Sequence, residues 1–410
     1  MEKEEKRLHI RRALLIGGLC AAAYLAVYVV RNVLSTVTPV IIGAGLLTTE
    51  QIGTMSSAFF VAYAVGQLIN GMIGDRVPAK YMLGCGLLLA GLCHLMVPVV
   101  VTTPLAAFAA YGATGFFLSM VYGPMTKVVA ENVHPLYAPR CSLGYNFSSL
   151  MGSPLAGVLA MLLSWQGVFV AGSGVLIGMG VVIFVTFSRC ERQGIIRRRE
   201  PTTTACRKTD GIKGLLRRHI VKFSLVAILT GVVRTTVVFW LPTYLTERLG
   251  YSEVSAAGAF TVATLVIALN AFVAVFVYER LGRNMHVTVL LSFALSALCF
   301  AGVYFVEHAL LNAVLLVGAI FCSNCAASIL WSCYCPGLRD TGMVSSATGF
   351  LDFLSYMAAA LSSTLYAEAV DVIGWRGLVL VWLGVVVAGV AATLPYRRFT
   401  GSAATGAESD

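Results

Sequence analysis

Charged residues are scarce in this sequence. Of its 410 residues only 12% are Asp, Glu, Lys or Arg, whereas 58% are hydrophobic, and the mean hydropathy is +0.84. A soluble domain carries about 25% charged residues, so the composition excludes a soluble globular protein. The period-two alternation of an outer-membrane barrel is also missing. The membrane spans are therefore expected to be helices, because only helices and closed barrels satisfy every backbone polar group in lipid.

The sequence also lacks the usual motifs of catalysis. It contains no nucleophile and base at a characteristic spacing and no Gly-rich phosphate loop, so we expect neither an enzyme nor a bound cofactor. Eleven cysteines are present, most of them inside apolar segments. Cys322, Cys325, Cys333 and Cys335 suggest a metal site at first sight. No His or carboxylate converges with them, so we expect no metal ion and interpret them as small packing residues.

Apolar segments long enough to cross a membrane, about 20 residues each, recur along the whole chain. They predict an all-α membrane protein with twelve transmembrane helices in two pseudo-symmetric bundles of six. The expected spans are 13–45, 51–74, 81–101, 104–130, 142–164, 166–188, 219–246, 252–278, 285–305, 308–334, 344–369 and 375–395.

Basic residues between the spans indicate the orientation. They concentrate in the segments that would lie on one side, such as "MEKEEKRLHIRR", "DRVPAK" and "YRRF", whereas the opposite loops carry only Arg248 and Arg376. The positive-inside rule then predicts an integral plasma (inner) membrane protein with both termini in the cytoplasm. The net charge of +10 is thus a signal of orientation in the lipid bilayer, and no nucleic-acid partner is expected.

The two halves share internal features. Val-Val-Arg ends at Arg31 and Pro39 follows eight residues later, just as Val-Val-Arg ends at Arg234 and Pro242 follows. Such equivalent positions indicate duplication, which is typical of transporters that rock about a central site. We expect an N-terminal bundle over 1–188, a basic cytoplasmic linker over 189–218, a C-terminal bundle over 219–396 and a disordered tail over 397–410.

The paired arginines suggest the chemistry. One arginine at mid-membrane costs about 2.5 to 3.5 kcal/mol, and Asp352 is the only clearly interior acid. One carboxylate cannot neutralise Arg31 and Arg234 together, so we predict a water-filled cavity that binds an anion. A guanidinium binds phosphate or carboxylate through paired hydrogen bonds. The alternative, in which each arginine pairs with helix carbonyls or extends to the interface, is less favoured for a symmetric pair.

Several further residues are candidates for this site. Asp352 is either a coupling carboxylate or the salt-bridge partner of Arg234, and Lys127 is either an interfacial residue or a secondary anion contact. The turn after the second span is expected to gate the cytoplasmic side through salt bridges, although its charges could also be merely interfacial. The gating candidates are Asp75, Arg76 and Lys80, and the side chains expected to complete the cavity are Tyr24, Tyr28, Asn32, Tyr63, Gln67, Tyr145 and Asn146.

Longer motifs give the chain a family resemblance. The segments "YLAVYVVRN", "AYAVGQLINGMIGDR", "VYGPMTK", "GYNFSS", "VVFWLPTYL" and "SSATGFLDFLSYMAAALSSTLYAEAVDVIGW" resemble the major facilitator superfamily and, within it, the organophosphate:phosphate antiporter family. The resemblance implies that arginines in the first and seventh helices, here Arg31 and Arg234, hold the substrate phosphate. It also implies a monomer that exchanges cytoplasmic inorganic phosphate for an external organophosphate by alternating access.

The chain departs from the family pattern at three positions. Asn32, Gln67 and Tyr145 stand where these transporters usually carry two lysines and a histidine. The cavity is therefore expected to be less positive. The leading hypothesis is secondary active transport of an organic anion, foremost a phosphorylated metabolite. A transporter of a sugar acid or another carboxylate, and a transporter-like membrane sensor of sugar phosphates, are the alternatives. A proton-coupled multidrug exporter is disfavoured because the first half has no interior acid.

Overall fold

The computed structural model describes residues 2–196 and 208–394, and this part of the chain is almost entirely helical. The predicted tail over 397–410 and the middle of the predicted linker lie outside the described residues. The N-terminal half contains six long helices, which are α1 (Glu2–Gly43), α2 (Thr49–Gly74), α3 (Ala79–Val100), α4 (Pro104–Asn132), α5 (Ala138–Leu162) and α6 (Trp165–Arg192).

The second half begins with a short linker helix, α7 (Lys208–Arg217). Two of its membrane spans are interrupted: α9 and α10 meet at Leu269, and α12 continues through a π-helical turn, Leu330–Tyr334. Its other elements are α8 (Ile220–Glu247), α9 (Glu253–Ala268), α10 (Asn270–Arg280), α11 (Met285–Phe305), α12 (Ala309–Ile329), the one-turn α13 (Cys335–Gly337) and α14 (Val344–Thr393).

Local sequence explains how the spans begin and turn. Thr48 and Gln51 form a capping box at the start of α2, and Ser164 accepts a hydrogen bond from Gly167 N at the start of α6. Gly374, at φ 65°, breaks α14 into two membrane passages. Glycine adopts this left-handed conformation without the Cβ clash that other residues would suffer.

Eleven helices in the described ranges are long and apolar enough to cross a membrane. The predicted all-α membrane fold is thereby confirmed. The remaining predicted span corresponds to α5, which has 25 residues but a lower hydropathy. Asn146 and Ser149 of α5 face the cavity between the halves, which explains why this helix is more polar.

Each half has its own hydrophobic core. Phe59 and Phe169 are fully buried among α1 to α6, and Phe293 and Trp382 are fully buried in the second half. Trp382 also donates from Nε1 to Thr236 Oγ1 at 3.0 Å, so its one polar atom is satisfied inside the core.

We call the end of the molecule at which α1 begins and α7 lies the linker end, and the opposite end the far end. Among the described residues, the hydrogen bonds between the two halves lie in the part of the molecule between the middle of the membrane spans and the linker end. Arg140 Nη2 and Glu279 Oε1 form an ion pair at 3.0 Å, and Asn146 Nδ2 donates to Ser332 Oγ at 3.3 Å. The halves are therefore held together at the linker end.

The closest approach of the two halves occurs where α2 crosses α14. A Cβ atom on Gly71 would lie 2.9 Å from Ser345 O and 3.1 Å from Gly349 Cα. Glycine at this crossing allows the two backbones to touch, as small residues do between helices in lipid.

Candidate binding cavity

A central cavity of about 320 Å³ lies between the two halves. Polar groups from both halves face it, together with a wall of aromatic rings. The lining residues come from α1, α4, α5, α8, α9, α10, α12, α14 and the π-helical turn, and they are Tyr24, Tyr28, Tyr122, Asn146, Phe147, Ser149, Leu150, Arg234, Val238, Thr264, Ile267, Ala268, Asn270, Ala271, Asn324, Ala327, Ser328, Trp331, Asp352 and Tyr356.

Arg234 provides a positive charge inside this cavity. It lies near the middle of α8 and its side chain is exposed to the cavity. Its guanidinium forms no hydrogen bond and no salt bridge with any residue in the described part of the chain. Since Arg is charged at every working pH and carries five N–H donors, Arg234 is a cation available for a bound anion.

Arg31 is held differently. Its Nη1 donates to the hydroxyl of Tyr356 at 2.6 Å, which links α1 to α14. Four aromatic rings surround its guanidinium carbon at 5.0 to 5.2 Å from the ring centroids, namely those of Tyr28, Phe60, Tyr63 and Tyr356. Such cation–π contacts stabilise a guanidinium in low-dielectric surroundings without cancelling its charge.

Arg31 lines a smaller pocket of about 270 Å³ and does not line the central cavity. Tyr28 and Tyr356, whose rings contact Arg31, line the central cavity. Asn32 lines the same small pocket and donates from Nδ2 to Tyr28 O at 2.6 Å. Tyr356 interacts electrostatically with both Arg31 and Arg234.

Asp352 lines the central cavity together with Arg234. It interacts electrostatically with Arg31 and with Arg234, but it forms a salt bridge with neither among the described residues. The two predicted roles of Asp352, a salt-bridge partner and a coupling carboxylate, stay predictions. Two cations and one carboxylate leave the region with a net formal charge of +1.

Aromatic side chains form one wall of the cavity. Tyr24 stacks on Tyr122 with ring centroids 5.2 Å apart, and its hydroxyl lies 3.5 Å from that of Tyr28. Trp331 from the second half packs edge-on against Tyr122 at 6.0 Å. The predicted cavity residues Tyr24, Tyr28 and Asn146 therefore do line the cavity, together with Arg234.

Three other candidates lie behind the cavity wall. Tyr63 contributes its ring to the surroundings of Arg31 and is itself buried. Tyr145 is buried and donates to Ser142 Oγ at 2.8 Å, which directs its hydroxyl away from the cavity. Gln67 is fully buried, and its Oε1 and Nε2 have no hydrogen-bond partner in the described part of the chain.

Lys127 lies at the linker end rather than in the cavity. Its Nζ donates to Gly74 O at 2.8 Å and to Asp75 O at 3.1 Å. Lys127 therefore stabilises the end of α2 in this structure, and it lines neither the central cavity nor the pocket of Arg31.

Asp75 joins the halves across the linker end. Its two carboxylate oxygens accept from Ser345 N at 2.9 Å and Ser346 N at 2.8 Å, which caps the first turn of α14. Burial raises the pKa of Asp75 above its ordinary value, while these hydrogen bonds and the nearby Lys127 charge act in the opposite direction.

The other two gating candidates do not bridge the halves here. Lys80 pairs with Glu191 at 2.6 Å, and both residues belong to the N-terminal half. Arg76 is exposed at the end of α2 and forms no salt bridge within the described ranges.

Sequence reasoning missed several cavity residues. Tyr356 lies four residues after Asp352, so the helical repeat places both on one face of α14 and could have identified it. Thr264, Asn270, Asn324 and Ser328 also line the cavity. They carry no sequence signal of their own, because isolated polar residues also occur where membrane helices merely pack together.

Comparison with known proteins gives a family match. The sequence model described as "Major Facilitator Superfamily" matches residues 20–336. The membrane sensor protein UhpC of Salmonella typhimurium is 24% identical over 396 residues, covering 90% of this chain and 88% of that protein. The phosphoglycerate transporter protein of the same organism is 24% identical over 384 residues, covering 86% and 82%. The hexuronate transporter of Bacillus subtilis is 24% identical over 371 residues, covering 85% of each chain.

Solved structures agree with the fold. The transporter FucP in its outward conformation matches with a TM-score of 0.71 and 14% identity, covering 93% of this chain and 99% of that chain. The proton:xylose symporter XylE matches with a TM-score of 0.70 and 12% identity, covering 94% and 95%.

Proposed function

The chain belongs to the Major Facilitator Superfamily, and we propose that it is a secondary transporter that exchanges a phosphorylated organic anion for inorganic phosphate. Its relatives confirm the resemblance to the organophosphate:phosphate antiporter family, and they are transport and sensor proteins rather than enzymes. The protein is an integral membrane protein. We place it in the inner membrane with its linker end in the cytoplasm, following the basic residues.

The observation that carries the proposal is the Arg234 guanidinium inside the central cavity, which forms no hydrogen bond or salt bridge with the described residues. Arg31 adds a second cation beside that cavity, and Asp352 balances only one of the two. A phosphate group near Tyr356 would accept hydrogen bonds from Arg234 and would draw the Arg31 guanidinium toward it. Arginine suits this role because its planar fork binds two oxygens of one phosphate.

Alternating access follows from the contacts between the halves. In this structure they are joined at the linker end by Asp75 with α14 and by Arg140 with Glu279. With the linker end in the cytoplasm, this is the state that is closed to the cytoplasm. An anion that contacts both arginines binds more tightly when the halves approach each other. It therefore lowers the free energy of the occluded state relative to the open states.

A carboxylate substrate is the second candidate. Asn32 and Tyr145 are neutral where the related transporters usually carry a lysine and a histidine, and the net charge of +1 around the cavity matches a monoanion. The hexuronate transporter among the relatives is named for a sugar carboxylate. A sugar acid would bind the same two arginines through its carboxylate, so the two candidates differ in ligand and not in site.

A sensor is the third candidate, favoured by the similarity to a protein named as a membrane sensor. A sensor would bind its ligand at the same arginines without accumulating it. Transport and sensing therefore differ in flux and not in binding.

The experiment is counterflow in proteoliposomes loaded with inorganic phosphate, with labelled phosphate, phosphate esters or sugar acids outside. Arg234→Lys and Arg31→Lys should each lower uptake at least about tenfold, because lysine cannot form the paired hydrogen bonds of a guanidinium. Arg248→Lys is the matched control, since Arg248 is an exposed arginine just after α8 that does not line the cavity.

Thermal-shift titration of the same detergent-purified variants separates binding from transport. Wild-type stabilisation by a ligand without counterflow would support the sensor. Full ligand stabilisation in both lysine variants would refute the arginine site. Stabilisation by sugar acids and not by phosphate esters would favour the carboxylate candidate.

A further inference from the structure

A second cavity lies at the linker end of the C-terminal half, on the other side of that half's core from the central cavity. Its volume is about 580 Å³. The start of α8, the start of α11 and the end of α14 enclose it. The lining residues are His219, Lys222, Asn284, His286, Val287, Leu290, Ala392, Thr393 and Leu394, and none of them lines the central cavity.

Basic side chains converge in this cavity. The rings of His219 and His286 meet edge to face with centroids 5.3 Å apart. Nδ1 of His286 is buried and has no hydrogen-bond partner among the described residues. Lys222 donates one N–H to Thr393 O at 2.8 Å, which leaves two ammonium donors for another ligand. No Asp or Glu lines the cavity in the described part of the chain.

The backbone adds to this positive character. Helices α8 and α11 both begin at the cavity, and the first N–H groups of a helix have no partner within it. Asn284 caps α11 by accepting from His286 N and Val287 N, whereas His219 makes no side-chain cap for α8. The start of α8 therefore offers uncapped N–H groups next to Lys222.

The remaining wall is apolar. Val287 is 44% exposed, and Leu290 lies one turn further along the same helix. A cavity with cationic groups at the membrane surface and an apolar side matches the two parts of a phospholipid. Basic pockets between membrane helices on the cytoplasmic side are suited to anionic headgroups.

We propose that this cavity binds an anionic phosphate group through Lys222, His219 and His286. The phosphate could reach the cavity in a membrane lipid headgroup or as free inorganic phosphate. The apolar wall of Val287 and Leu290 favours the lipid. The site is separate from the arginine cavity, so the inference does not depend on the proposed transport function.

The lipid arm of the test uses full-length protein, stripped of lipid in detergent and titrated with dioleoyl phosphatidylglycerol while native mass spectrometry counts the bound lipids. Lys222→Gln should weaken the tightest lipid-binding step about fivefold, the factor that one lysine contributes near an anionic surface. His286→Gln should weaken the same step as well. Lys213→Gln is the matched control. It removes an exposed lysine from α7 at the same end, outside the cavity.

The phosphate arm measures thermal stabilisation by inorganic phosphate in an Arg234→Lys background, so that binding in the central cavity does not mask the result. Because Lys222 also contacts Thr393, His286→Gln serves as the variant that leaves this structural hydrogen bond in place. Size-exclusion chromatography checks that each variant is folded.

Loss of the tight lipid in the Lys222 and His286 variants would support the lipid headgroup. Loss of phosphate stabilisation alone would support free phosphate. If both variants match Lys213→Gln in both arms, the cavity does not bind phosphate and the inference is wrong. A failure of Arg31 and Arg234 to bind substrate would leave these outcomes unchanged.

Discussion

Nη1 of Arg31 and the hydroxyl oxygen of Tyr356 lie 2.6 Å apart across the interface between the two halves. A cation of the first half is thus oriented by a side chain of the second. Any movement that separates α1 from α14 at this depth must break the hydrogen bond. Tyr356 also lines the central cavity. The pair therefore connects the central cavity with the relative position of the halves.

Tyr356→Phe should weaken anion binding about tenfold. The substitution keeps the ring beside Arg31 but removes a hydrogen bond to a charged group, which contributes about 1.5 to 3 kcal/mol. The measurement is the ligand concentration that gives half of the maximal thermal shift. Tyr304→Phe is the control, because Tyr304 lies outside the cavity on α11. Unchanged affinity in Tyr356→Phe would show that this hydroxyl does not position the guanidinium.

Gly71→Ala should disfavour the closed linker end. The added Cβ would lie 2.9 Å from Ser345 O, and overpacking of this kind costs about 1 to 3 kcal/mol. We expect faster alkylation of the fully buried Cys335, which lies at the interface with α4 and α5. Gly53→Ala on the same helix meets nothing within 4 Å and should leave the rate unchanged. Equal rates in the two variants would contradict a tight crossing at Gly71.

Asp75→Ala should expose the start of α14. Ser345 N and Ser346 N lose their acceptors, and loss of a helix cap costs about 0.5 to 2 kcal/mol. Hydrogen exchange measured by mass spectrometry should then accelerate in a peptide covering 344–349. Asp75→Asn retains one acceptor oxygen and should show a smaller effect. Asp340→Asn, at an exposed carboxylate of the same end, is the control. Unaltered exchange in the alanine variant would rule out this cap.

The closed linker end should be favoured by acid. Burial raises the pKa of Asp75 in this state, whereas an open linker end would expose the carboxyl group to water at its ordinary pKa. The closed state therefore binds the proton more tightly. This contribution is present at low pH and is lost as the pH rises through the raised pKa. Hydrogen exchange of 344–349, corrected for its intrinsic pH dependence, should report the change, and Asp75→Asn should abolish it. The opposite slope would contradict this sign.

Gln67→Leu should stabilise the conformation described here. Both polar atoms of the Gln67 amide are buried and have no hydrogen-bond partner among the described residues, and an unsatisfied buried group costs about 1 to 3 kcal/mol. We expect a higher melting temperature, because the substitution lowers the free energy of this conformation. We also expect slower counterflow, because the other conformations of the transport cycle are not stabilised in the same way. Gln166→Leu, at an exposed glutamine of α6, controls for added hydrophobicity. A lower melting temperature for Gln67→Leu would show that the amide is satisfied.

The sequence predicted those features that depend on local composition. Hydropathy located the helices, and the repeated Val-Val-Arg identified Arg31 and Arg234 before any contact was known. Partners across the interface could not be predicted, since they depend on helix rotation and on which end is closed. Lys127 is an example: its position suggested either an interfacial residue or a secondary anion contact, but its carbonyl partners at Gly74 and Asp75 come from another helix. Lys80 likewise pairs within its own half.

The single carboxylate at Asp352 has an electrical consequence. With two guanidinium groups and one ionised acid among the described residues, the empty site would carry one positive charge, and a bound monoanion would make it neutral. The loaded protein can then change its conformation with little influence from the membrane voltage. In the empty protein, the conformational change would move an unbalanced charge through the electric field of the membrane. Moving one elementary charge across the whole membrane potential changes its free energy by about 2.3 kcal/mol per 100 mV. In the proposed exchange, returning with another anion would avoid that barrier, so this charge arrangement would favour coupled, electrically silent exchange over one-way flow.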